Sequence, residues 1–168
     1  MRFHGLVYRA MNPIYARTPL SGEGARRHGG RFNPRGMAAL YTAQSVAGAI
    51  REANQIGTLQ PTTLVAMQAD IAPVFDAADA AALAGQGMSP ADLAADDWRA
   101  RMLAGDAAPT QALAERLVAA GYAAMQVPSF AKGADAGALN LILWRWGSDL
   151  PARLVVVDDE GRLSAPPR

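Results

Sequence analysis

The stretch GGRFNPRGMAALYTAQSVAGAIREANQI, running from Gly29 to Ile56, holds a turn, a strand and a helix start in succession. Gly29-Gly30 lets the backbone turn tightly and come close to a ligand. Asn33-Pro34 and Gly36 are turn formers that stiffen the chain beyond Arg31. Ala39–Thr42 (ALYT) is short and suits a strand. Ser45 stands where an N-cap belongs, before a helix expected over Val46–Ile56. In that helix Val46, Ala49, Ile50 and Ala53 recur at the i, i+3, i+4, i+7 spacing of one face, with Glu52 off the centre of the stripe.

Upstream, Gly5–Ala10 (GLVYRA) reads as a strand. Asn12–Gly36 is rich in Gly, Pro and Arg without periodicity and is expected to be one long irregular loop, a kind of segment that is usually functional in a compact domain. Downstream, Thr62–Ile71 is strand-like, and Pro73–Asp76 adds a short extension. Short helices are expected within Asp79–Gly105, one of them opened by Ser89-Pro90. Pro109–Ala120 is a helix closed by Gly121. Tyr122–Val127, Leu139–Trp146 and Leu154–Val157 complete the strands, and the tail beyond Asp158 is expected to be loose. Strands and helices do not alternate regularly. The fold class is therefore α+β, with a mixed or antiparallel sheet and flanking helices.

The 168 residues suit one domain over 1–168, its core spanning about 5–157, and 51% hydrophobic against 18% charged residues marks it as globular. There is no cysteine, which excludes disulfides, zinc–thiolate sites and thiol nucleophiles. Met1–Ala10 reads as strand and not as a charged segment before an apolar one, so no signal peptide is expected. No apolar run approaches the ~20 residues of a membrane helix. The expected location is the cytoplasm, without membrane contact. The net charge of +1 conceals an asymmetry: residues 1–60 hold eight Arg and two Glu, whereas residues 61–168 hold eight Lys/Arg and thirteen Asp/Glu. A basic first third suits an anionic ligand, either a pyrophosphate or a nucleic acid.

Three residues stand out as candidates. Arg31 presents a planar fork in a glycine turn and suits two phosphate oxygens. Glu52, eleven residues after Tyr41, is placed to hold a ribose hydroxyl or to stabilise positive charge on an anomeric carbon. Ser129 ends a strand after Val127-Pro128 and is within reach of a ligand. Each has a plainer reading: a common turn, a solvated helix glutamate, a chain-capping serine. His4 and His28 are the only histidines, and neither a Ser-His-Asp order nor a metal-ligand cluster stands out. No Walker loop and no GxGxxG after a strand is present, so a dinucleotide would not bind in the Rossmann manner.

Together, Gly29-Gly30-Arg31-Phe32-Asn33-Pro34, Leu40-Tyr41-Thr42-Ala43, Glu52 and Pro128-Ser129 resemble the RES domain, a family named for an Arg, a Glu and a Ser in this order. The resemblance runs from Tyr8-Arg9 to about Val157, and its most specific part is the Gly-Gly-Arg-aromatic-Asn-Pro stretch. It implies a fold similar to that of ADP-ribosylating (diphtheria-toxin-like) enzymes, a split sheet with NAD⁺ in a central cleft. It implies a bacterial toxin that breaks the nicotinamide–ribose bond and transfers ADP-ribose to a protein, with NAD⁺ as co-substrate and no metal. Phosphate or water as acceptor, depleting NAD⁺, is the alternative. The implied partner is a helix-turn-helix antitoxin that blocks the active site in a hetero-oligomer.

On this reading Arg31, Glu52 and Ser129 are catalytic, and Arg31, Tyr41, Arg9 and Asn140 contact the dinucleotide. Arg9 and His4 would add a second anchor. Arg17, Arg26 and Arg27 could meet phosphate or an acceptor protein, although such side chains are more often solvated charge. Two rivals come from other classes. An RNase toxin would use the basic loop, but Phe32 is the only aromatic between Arg17 and Leu40, against the interleaved aromatics of a single-strand binder. A pure interaction domain would tolerate the loss of Glu52.

Overall fold

The computed structural model describes residues 1–54 and 57–163, and within them seven strands form one mixed sheet. The elements in chain order are β1 (Phe3–Met11), α1 (Glu23–His28), β2 (Leu40–Ala43), α2 (Val46–Ala53), β3 (Thr63–Ile71), β4 (Val74–Asp76), α3 (Ala80–Gly85), α4 (Pro90–Ala94), α5 (Trp98–Leu103), α6 (Pro109–Ala119), β5 (Ala124–Pro128), β6 (Leu139–Leu143) and β7 (Ala152–Val156). The strand order is β4-β5-β6-β2-β1-β3-β7, antiparallel throughout except for the parallel β4–β5 pair.

The sheet is split. β1 pairs with β3 from Phe3 opposite Ile71 to Met11 opposite Thr63. β2 pairs with β6 from Leu40 opposite Leu143 to Ala43 opposite Asn140. Among the described residues the ladder joining the two halves has a single rung, Tyr8 opposite Ala43. Alternating side chains feed two cores. Val7, Leu40, Met67, Ile71, Leu141, Leu143 and Leu154 fill one, while Phe75, Leu93, Leu113, Leu117, Met125, Val127 and Ile142 fill the other, beneath α3, α4 and α6. Fully burying one such leucine contributes about 1.5–3 kcal/mol. Asn140 shares the Ile142 face of β6, at the edge where the second core gives way to the split.

Three elements depart from the sequence reading. The stretch 12–36 is not irregular throughout: it contains a 3₁₀ turn at Pro13–Tyr15 and the short helix α1. Glu23 holds α1 by pairing with Arg26 and Arg27 one turn on. α2 starts at the Ser45 cap as expected, Ser45 Oγ accepting from the Gly48 amide. Its predicted end at Ile56 lies outside the described residues. Its inward face is rotated from the expected stripe: Ala49, a member of that stripe, is buried together with Gly48, whereas Val46, Ile50 and Ala53 are exposed. Gly48 is the reason: a Cβ there would lie 3.3 Å from that of Ala43, so the helix rides closely on β2 along this side. Glu52, one turn beyond Gly48 and Ala49, therefore points inward. Finally, β6 ends at Leu143 and not at Trp146. Its neighbour β5 starts at Ala124, and the Trp144 and Arg145 amides both turn to the Ala123 carbonyl.

Candidate active site

The split opens into a cleft with two compartments. The smaller, about 180 Å³, lies between β1, β2 and α2 and is lined by Tyr8, Ala10, Ala43, Ala49 and Ala53. The larger, about 460 Å³, is lined by Gly29–Phe32, Val127, Pro128, Phe130, Lys132, Asp96, Trp98 and Arg99. Tyr41, Glu52 and Asn140 line both and form the junction. Arg31 and Glu52, 21 positions apart in the sequence, thus share one cleft.

At the junction the Glu52 carboxylate accepts two short hydrogen bonds on Oε1: from Ser129 Oγ at 2.6 Å and from Asn140 Nδ2 at 2.6 Å. Three elements converge here: α2, the end of β5 and the start of β6. Charge-assisted bonds of this length fix the carboxylate in place. Arg51, on the neighbouring face of α2, ties the helix to Asp135 in the loop before β6 at 2.7 Å. Asn140 is buried, and among the described residues its Oδ1 has no hydrogen-bond partner.

Arg31 is the other fixed group. Its guanidinium donates to the carbonyls of Leu93 (3.1 Å) and Ala95 (2.6 Å) and to Asp96 at 2.8 Å, and it lies 5.0 Å above the Phe130 ring. The Asp96 side chain is 93% exposed, so its carboxylate sits where a soluble anion can take its place. The loop that carries Arg31 is held by buried polar side chains. Asn33 Nδ2 donates to the carbonyls of Ala25 and Met37 at 2.8 and 2.9 Å. Tyr41 donates its hydroxyl to Asn33 Oδ1 at 2.6 Å and accepts from the Phe32 amide at 3.0 Å. Gln111 of α6 donates to the Gly30 carbonyl at 2.8 Å, and the Trp144 indole to that of Phe32 at 2.9 Å. A Cβ on Gly30 would collide with the Tyr41 hydroxyl and lie 2.7 Å from Asn33 Oδ1, which is why glycine stands there. Burial pushes the Tyr41 phenol above its ordinary range. Its hydroxyl is committed to the loop, and its ring forms part of the cleft wall.

The remaining candidates fall elsewhere. Arg9 reaches the smaller compartment, but its guanidinium donates to the Pro19 carbonyl at 2.7 Å, and burial pulls its pKa below the ordinary arginine value. His4 is exposed, opposite Asp70 on β3. Arg17 is exposed, and Arg26 and Arg27 pair with Glu23 on α1, away from the cleft. The sequence reading missed Asn33 and Gln111 as loop clamps, and Phe130, Lys132, Trp98 and Arg99 as cleft walls. Phe130 and Lys132 had one signal, their closeness to Ser129. No group of three or more potential metal ligands occurs among the described residues.

Comparison with known proteins bears on the fold and the family. No curated protein sequence matches the chain. Among solved structures, a chain of the crystal structure of the M. tuberculosis MbcT–MbcA toxin–antitoxin complex aligns with a TM-score of 0.63. The identity is 22%, over 94% of this chain and 84% of that one, a likeness of fold. The model of the RES domain family matches residues 6–165. With that match spanning almost the whole sequence, the chain belongs to the RES domain family.

Proposed function

We propose that this chain is the toxin of a toxin–antitoxin pair and that it cleaves NAD⁺ at the nicotinamide–ribose bond. One observation carries the reading: a carboxylate fixed by Ser129 and Asn140 stands at the junction of a two-part cleft, with Arg31 in the larger part. Nicotinamide departs with the bonding pair, and positive charge develops on the anomeric carbon. Glu52 stabilises that charge and accepts from a ribose hydroxyl. Arg31 exchanges Asp96 for the pyrophosphate, which suits its planar fork. The Tyr41 ring bounds the nicotinamide site, and Ser129 and Asn140 hold Glu52. Arg9 supports the cleft from the β1 side.

The ADP-ribosyl group then passes to an acceptor, making the protein a mono-ADP-ribosyltransferase when the acceptor is a protein. Phosphate is a second reading, favoured by Lys132, a second cation in the lining of the compartment that holds Arg31. The partner would be a helix-turn-helix antitoxin covering the cleft, in a hetero-oligomer, and the site of action the cytoplasm. No helix among the described residues is long and apolar enough to cross a membrane. The test is nicotinamide release from NAD⁺ by the purified chain, with and without phosphate and with cell lysate. Release by wild type and none by Glu52→Ala is the expected result. Equal release by both removes Glu52 from the mechanism. Labelled protein identifies a protein acceptor, and a phosphorylated ADP-ribose product identifies phosphate.

A further inference from the structure

The protein has three tryptophans, and two have structural work. The Trp144 indole donates to the Phe32 carbonyl and packs against one core; the Trp146 indole donates to the Leu20 carbonyl at 3.0 Å and packs against the other. Trp98 does neither. Among the described residues its indole N–H has no partner, and its ring belongs to neither core. It is half-buried in the wall of the larger compartment, with the Arg99 guanidinium 5.0 Å from its ring centroid.

Its place along the cleft is informative. Arg31 binds the Ala95 carbonyl and Asp96, and Trp98 follows two residues later at the start of α5. Trp98 and Arg99 are absent from the smaller compartment, which lies beyond Glu52. The larger compartment, across the carboxylate from the small one, thus holds Arg31 and an indole with the Arg99 guanidinium over one of its faces. The indole face away from the guanidinium can stack on any base, and the cation on the opposite face adds electrostatic attraction.

We infer that Trp98 and Arg99 form the seat for the purine base of the dinucleotide, the end remote from the bond that breaks. The inference rests on the NAD⁺ reading above. It adds the group that distinguishes a dinucleotide from a mononucleotide.

Calorimetric titration with ADP-ribose tests it without requiring turnover, in wild type, Trp98→Ala and Trp98→Phe. Trp98→Ala should raise the Kd about tenfold or more, and Trp98→Phe should keep most of the affinity. No binding to wild type, or equal affinity in wild type and Trp98→Ala, overturns the base seat. Nicotinamide release is then compared between NAD⁺ and nicotinamide mononucleotide. Trp98→Ala should lose kcat/KM on the dinucleotide, mainly through KM, and leave the mononucleotide unchanged. An equal loss on both substrates overturns the seat while leaving the cleavage reading intact. Absence of cleavage by wild type, with ADP-ribose still dependent on Trp98, would remove the cleavage reading and keep the seat.

Discussion

Replacing Asn140 with leucine separates what that side chain does for the fold from what it does for Glu52. The two side chains have similar shape, and the site is buried. The substitution removes the 2.6 Å bond from Nδ2 to Glu52 Oε1, worth about 1.5–3 kcal/mol as a hydrogen bond to a charged group. It also removes Oδ1, a buried acceptor without a partner among the described residues, whose desolvation costs about 1–3 kcal/mol. The two terms oppose each other, so the net stability change should fall within about 1 kcal/mol, or roughly 2–4 °C in Tm for a chain of this size. Catalysis has no such compensation. Glu52 keeps Ser129 but loses a donor that fixes its orientation, and kcat/KM for nicotinamide release should drop about 10- to 100-fold. Thermal melting and initial rates on the same preparation read both quantities. Wild-type rates would refute the orienting role. A Tm lower by more than about 10 °C would show that Asn140 serves the fold instead.

Other expectations concern the Arg31 loop and the titrating groups. Gly30→Ala must displace the Tyr41 hydroxyl from Asn33, costing about 1–3 kcal/mol, and a melt unchanged from wild type would contradict the packing described. Gln111→Leu leaves the Gly30 carbonyl without its side-chain donor and should weaken ADP-ribose binding through Arg31 more than it lowers Tm; calorimetry beside melting decides. The phenol of Tyr41 is held above its ordinary range by burial, so its stabilising effect is complete below about pH 10, the unfolded value, and is lost as pH rises further. Absorbance titration of the four tyrosines should find one that ionises only with unfolding. Glu23 sits at about 2, held down chiefly by its hydrogen bonds to Arg26 and Arg27, so its support of α1 is full above the ordinary carboxylate value and fades as pH falls toward 2. Amide shifts of residues 23–28 that stay constant from pH 5 to 2 would contradict that.

Local chemistry made much of this legible. Ser45 and Ser89-Pro90 cap helices as their residue types require, and the Gly-Gly turn, the Tyr41 strand and the succession of strands along the chain are where the pattern puts them. The triad of Glu52, Ser129 and Asn140 was legible residue by residue, but their mutual contact was not, because it spans 77 and 88 positions and depends on sheet order. α2 was misjudged in orientation. Apolar periodicity favoured Val46, Ala49, Ile50 and Ala53, of which only Ala49 faces inward, because close approach at Gly48 brings the Gly48 and Ala49 side onto β2. The α5 wall was invisible, since Trp98 and Arg99 lie in a short helix with no periodic face and gain meaning only from Arg31 reaching across to Ala95 and Asp96.

The lone rung from Tyr8 to Ala43 has a mechanical consequence. Two leaves bound by long internal ladders and by so little between them can part like an opening book, leaving each ladder whole. That motion is resisted by the core to which Val7 and Leu40 both belong, and by α2, which packs against β1 and β2 together. A change in cleft width along this line thus breaks one rung of the sheet and leaves the pairings within each leaf intact.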